Sequence, residues 1–103
     1  MNTAEGHHVR RVARLGCVVC RRVLSTVTPA EMHHVAEGSG LRSWFSVAPL
    51  CSEHHRGATG IHGLHGEFMA RYKVPGLSEY GLLVWVNEDL ALLDLGRLRP
   101  AIA

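Results

Sequence analysis

Apolar positions near the start of the chain recur at helical spacing. Val9, Val12, Ala13 and Leu15 share one side of a helix predicted over 7–15, and Gly16 is a natural stop. The run Gly16-Cys17-Val18-Val19-Cys20 breaks that period and reads as a knuckle turn. Residues 31–36 (EMHHVA) and 43–48 (SWFSVA) are short and rich in β-forming side chains, so each is predicted to be a strand. Gly38, Gly40 and Pro49 bound them, and residues 37–42 form a Gly/Ser loop between them. The segment CSEHHRG (51–57) suits a helical turn or more, followed by a loop at Gly57, Gly60 and Gly63. Leu64, Phe68 and Tyr72, at i, i+4 and i+8, predict an amphipathic helix over 64–73 that ends before Pro75. Ser78 is placed to cap a final helix over 79–94 with Leu82, Leu83, Val86, Leu90 and Leu93 as its apolar stripe. The stretch LLVWV within it fits a strand equally well. The order is helix, knuckle, two strands, helices, which is an α+β class.

Length and composition narrow this picture. A chain of 103 residues is one domain, 1–103, and buries a modest share of its surface, so a metal staple would help it fold. It is 47% hydrophobic and 19% charged, as expected of a globular protein. The start, MNTAEGHHVRR, lacks the apolar core of a signal peptide, and no apolar run reaches membrane-spanning length. These features predict a soluble, cytoplasmic protein with no membrane partner. The net charge of +2 does not itself imply nucleic acid. However, Arg10, Arg11, Arg14, Arg21 and Arg22 against Glu5 make the first 22 residues a basic segment able to meet phosphates.

Three cysteines cannot all pair as disulfides, and one C-x2-C spacing suits a metal site in a reducing compartment. Cys17-x2-Cys20 and Cys51-x2-His54 are half-sites of equal spacing with thirty residues between them. Two such turns can each present a pair of donors to one tetrahedral zinc, and with four protein ligands the site is closed and structural. His55 is adjacent to His54 and is an alternative fourth ligand.

Eight histidines are unusual for this length, and histidine is both the commonest metal ligand and a near-neutral base. His33 and His34 lie on a predicted strand, where neighbours point to opposite faces. One can therefore hold a metal while the other reaches a water. His55 is fixed by the zinc ligand beside it, and His62 lies beyond the glycine loop, with His65 a further candidate. His7 and His8 have no such context and are read as surface residues.

The run Cys17-V-V-Cys20, His33-His34-Val35, Pro49-Leu50-Cys51-S-E-His54-His55-R-Gly57 and His62, with Phe68 and Tyr72 downstream, resembles the HNH, or ββα-metal, nucleases. Among these it is most similar to the phage recombination-enhancement (Ref) nucleases, described as RecA-dependent. The resemblance covers about residues 13–74, the core, leaving an apolar helical segment at about 78–95. It implies a zinc-stapled ββα-metal domain with flanking helices and an endonuclease that hydrolyses DNA phosphodiester bonds in phage or mobile-element recombination. His34 would be the general base. His33 and His55, with His62 or else His65, would hold a catalytic divalent ion: Mg2+, Mn2+, Ni2+ or Zn2+. The asparagine that orients the base in many HNH enzymes is missing, since no Asn lies between residues 3 and 86; Ser46 or a backbone carbonyl is left to replace it.

Arg42 and Arg56, near the two motifs, join Arg10 and Arg11 as candidate DNA contacts. The resemblance also implies a RecA-type filament as partner, although those relatives carry a long basic arm where only sixteen residues precede Cys17 here. The apolar segment around Trp85 is core or a homodimer contact. The competing reading is a non-catalytic zinc module that binds DNA or protein.

Overall fold

The computed structural model describes residues 1–35, 42–57, 60–61 and 79–102. The helix expected over 64–73, His62 and His65 lie outside these residues, as does most of the 37–42 loop.

Helix α1 spans Thr3–Ala13, starting earlier than the apolar spacing predicts. The cause is a capping box. The Asn2 side chain accepts from the Glu5 backbone N–H, and the Glu5 carboxylate accepts from that of Asn2, both at 2.8 Å. Gly16 ends the segment at φ +69°, where a Cβ would meet the Thr28 carbonyl at 2.5 Å and the Ala101 Cβ at 2.9 Å. That close approach lets the Cys17 N–H donate to Thr28 and threads the chain into the knuckle. The knuckle continues into a short helix, α2 (Val18–Val23), so the expected turn is its first part.

Strands β1 (Glu31–His34) and β2 (Val47–Leu50) pair antiparallel, with Glu31 opposite Leu50, His33 opposite Ala48 and His34 opposite Val47. The second strand lies further along than the expected 43–48. Residues Ser43–Ser46 form a turn instead: the Phe45 N–H donates to Ser43 Oγ at 3.1 Å and the Ser46 N–H to the Ser43 carbonyl at 3.1 Å. Pro49 then falls inside the strand, which is tolerated because, among the described residues, β2 pairs on one side only and leaves an edge on the other. All four β2 residues are buried, since β2 packs against α1, α2 and the C-terminal helix.

Helix α3 (Ser52–Arg56) follows directly, and α4 (Glu79–Asp94) closes the fold. LLVWV is helical. Leu82, Val86 and Leu90 are buried on one stripe, with Leu83 and Leu93 packed at its margin. The helix ends in a Schellman motif: Arg97 N–H donates to the Leu92 carbonyl, Gly96 N–H to that of Leu93, and Gly96 sits at φ +70°.

Asp89 is also buried on the inner stripe, 3% exposed, where Arg22 of α2 reaches it at 2.8 Å. Arg22 also contacts Glu88 at 3.1 Å and lies over the Trp85 ring. Arg22→Ala would strand a buried carboxylate, and chemical denaturation is expected to show a loss of about 3 kcal/mol, the usual result of breaking a buried pair from one side. A loss within the few tenths typical of exposed pairs would mean that Asp89 is satisfied without Arg22. Among the described residues no helix is long and apolar enough to cross a membrane.

Candidate metal centre and histidine site

The loop before α2 and the one before α3 each put a donor at a helix start. Cys17 caps α2, and its sulfur accepts from the Cys20 backbone N–H at 3.4 Å. Cys51 stands at the N-cap position of α3, with no capping bond from its sulfur, and the first turn of this helix brings His54 inward. The sulfurs of Cys17, Cys20 and Cys51 and the Nδ1 of His54 all lie within 4.8 Å of one another. His54 Nδ1 is 3.4, 3.5 and 3.2 Å from the three sulfurs, and Cys20 Sγ is 3.8 Å from Cys51 Sγ.

A tetrahedron with zinc–sulfur bonds of about 2.3 Å has sulfur–sulfur edges of about 3.8 Å and sulfur–nitrogen edges of about 3.5 Å. The cluster therefore fits zinc in size, donor chemistry and closure. His54, not His55, is the fourth member. Burial, above all, pushes the Cys17 thiol up to about 12; the neighbouring Cys20 and Cys51 sulfurs add to this, and their backbone N–H groups oppose it. A metal that binds here must displace protons.

Gly60 and Ile61 lie back against α3. The Ile61 N–H donates to the His54 carbonyl at 2.8 Å, and a Cβ on Gly60 would stand 2.5 Å from the Glu53 carbonyl. Gly60 thus permits the close approach that fastens the end of α3, where His55 sits.

His33 and His34 separate as strand alternation requires. His33 is buried, 3% exposed, and its ring meets that of His55 edge-on with centroids 5.3 Å apart. His34 is half-buried on the other side, against the edge of Trp44 at 4.3 Å, with Arg42 Nη2 at 3.5 Å from its Nδ1. Desolvation first, and the Arg42 charge second, hold the His34 imidazole below its ordinary value of 6.5. The Ser46 carbonyl accepts the Val35 N–H at 2.8 Å, which ties it to the strand ladder, and Trp44 is the group packed on His34.

The sequence reading missed two neighbours of the histidines. Glu31 shares the β1 face of His33 at i−2, and strand period alone points to it. Its carboxylate receives His55 Nδ1 at 2.8 Å and Arg56 at 3.0 and 2.5 Å. Hydrogen bonds from His55 and then Arg56 hold the Glu31 carboxyl below its usual range. Trp44 has no comparable signal, because it sits in a turn where the sequence predicts a strand. His8 also departs from the surface reading: it is half-buried, its ring 5.6 Å from that of Phe45.

The arginines divide. Arg42 stands beside His34, and Arg56 pairs with Glu31. Arg11 pairs with Asp94 at 2.6 Å, while Arg10 lies on exposed α1 with Nη2 3.3 Å from His7 Nδ1. Among the described residues the four-donor cluster is the only group of three or more metal-ligating side chains, and His33 with His55 forms a pair beside it.

Comparison with curated proteins and with solved structures gave no match. The family described as recombination enhancement, RecA-dependent nuclease matches residues 2–91, which takes in α1, the knuckle, both strands, α3 and most of α4. With nearly the whole chain covered, the protein belongs to this RecA-dependent nuclease family.

Proposed function

We propose that the protein is a metal-dependent HNH-type endonuclease that hydrolyses DNA phosphodiester bonds. The observation that carries this reading is the meeting of His33 and His55 at 5.3 Å next to His34, in a chain of a nuclease family. Cys17, Cys20, Cys51 and His54 hold a structural zinc that fixes α3 against the knuckle. His33 and His55, joined by His62, hold the divalent ion. When bound, that ion supplies Lewis-acid stabilisation of the charge that builds on the phosphate and leaving oxygen.

The chain's own residues do the rest. Arg42 faces His34 Nδ1 at 3.5 Å and can only donate, so this nitrogen carries the lone pair in the neutral ring; it takes a proton from an attacking water once Arg42 turns from it to the phosphate. Trp44 limits how the ring can turn. Arg42, exposed and beside the base, is placed to meet the scissile phosphate, and Arg10 supplies a more distant contact on α1. Arg11 and Arg56 are also proposed DNA contacts, which requires them to exchange their carboxylate partners for phosphates. A RecA-type filament is the proposed partner that presents the DNA.

Digestion of supercoiled plasmid, with and without a RecA filament, tests the reading. Cleavage is expected with Mg2+, Mn2+ or Ni2+ and none in EDTA. Intact plasmid under every metal and filament condition, on duplex and single strands, would favour a zinc-bearing binding module instead.

A further inference from the structure

We propose that Glu31 is the positioning residue of the histidine metal site: it fixes which nitrogen of His55 faces the ion. This rests on the nuclease reading above for the ion, and on geometry for the tie. The Glu31 carboxylate accepts at 2.8 Å from His55 Nδ1, which must therefore carry the proton. In the neutral imidazole the lone pair is then left on Nε2, across the ring, and the ring lies edge-on to His33. Carboxylates that hold the far nitrogen of a ligating imidazole in this way set its tautomer and raise its basicity as a donor.

Arg56 completes the device. It lies next to His55 on α3 and donates to both Glu31 oxygens, through Nε at 3.0 Å and Nη2 at 2.5 Å. One carboxylate oxygen is thus shared between His55 and Arg56, and the other is taken by Arg56. Glu31 is occupied by side chains from a single helix, and it ties β1 to α3 across the two histidines. An ordinary surface ion pair between Glu31 and Arg56 would not need His55 at all, and the shared oxygen separates the two cases.

The experiment uses the full zinc-loaded chain. Mn2+ serves as the probe, because a hard ion avoids the thiolate cluster. Nitrogen-15 imidazole shifts report the His55 tautomer before Mn2+ is added, calorimetry reports Mn2+ affinity, and a thermal melt reports folding. The wild type is expected to show the Nδ1–H form. In Glu31→Ala the tautomer should shift towards Nε2–H, and Mn2+ affinity should fall by about 10–100-fold, the usual effect of losing such a partner. Glu31→Gln keeps an acceptor oxygen and is expected to fall between. Arg56→Ala should lower affinity less than Glu31→Ala, with the tautomer retained.

A folded Glu31→Ala variant with wild-type tautomer and wild-type Mn2+ affinity overturns the proposal. A lower melting midpoint with both readouts unchanged does the same, by leaving Glu31 only a structural ion pair. Wild-type protein that takes up no Mn2+ overturns the histidine metal site of the nuclease reading, and the tautomer in Glu31→Ala then decides the Glu31–His55 tie on its own.

Discussion

Cys20→Ser is expected to release zinc and abolish cooperative unfolding. Domains of this size hold about 5–15 kcal/mol of net stability. Structural zinc in small modules contributes an apparent 10–16 kcal/mol at neutral pH, so loss of one thiolate from a four-donor site removes enough to unfold the chain. Cys20 is 4% exposed and its sulfur touches both Cys51 and His54, so no water-facing donor replaces it. Zinc released to a colorimetric chelator, with circular dichroism during heating, measures both effects. A variant that keeps a sharp transition near the wild-type midpoint would show that α1, α2, β2 and α4 hold together without the staple.

The second large effect is on catalysis. His34→Ala is expected to reduce plasmid cleavage by about 10²–10⁴-fold, the range of a lost general base, while the fold and zinc content stay unchanged. The pH profile gives the sign. A base works in its neutral form, so the rate should fall as pH drops through the His34 pKa and level off above it. Because desolvation and then Arg42 lower that pKa, the midpoint of the acid limb is expected below 6.5. His34→Ala should lose this limb along with its activity. Removal of Arg42 should move the limb upward and weaken DNA binding together. Unchanged cleavage by His34→Ala would place the base elsewhere.

The staple was legible because its information is local: two x2 spacings, each compatible with one helix start, and cysteine at three of four positions. The histidine pair was legible for a similar reason. Strand alternation parts His33 from His34 without further knowledge, and adjacency to His54 anchors His55. The final helix could be read from its stripe, although its LLVWV segment suited a strand equally well, and burial of Leu82, Val86 and Leu90 decides between them. What escaped depends on contacts between distant segments or on weak local signals. The sequence places the second strand too early because Pro49 is an ordinary strand boundary, whereas among the described residues β2 pairs only with β1 and leaves an edge that proline can occupy. The start of α1 rests on one Asn2–Glu5 exchange, outside the apolar period. Strand period sets Glu31 on the face of His33, but its partners His55 and Arg56 come from 24 and 25 positions away, where no local pattern reaches. The Arg22–Asp89 pair joins residues 67 apart, a separation that no local pattern spans.

His54 and His55 are consecutive, yet one imidazole joins the thiol cluster and the next faces His33. A nuclease built this way remembers its exposure to chelators. With the divalent ion proposed at His33 and His55, brief treatment with a weak chelator would withdraw that ion alone, and fresh divalent metal would restore cutting at once. A strong or prolonged treatment would also empty the closed site, let α3 drift and scatter the ligands of the other centre. Magnesium or manganese added afterwards would then fail until zinc came first. Activity recovered from stripped protein would therefore depend on the order of addition, a hysteresis written into a single peptide bond.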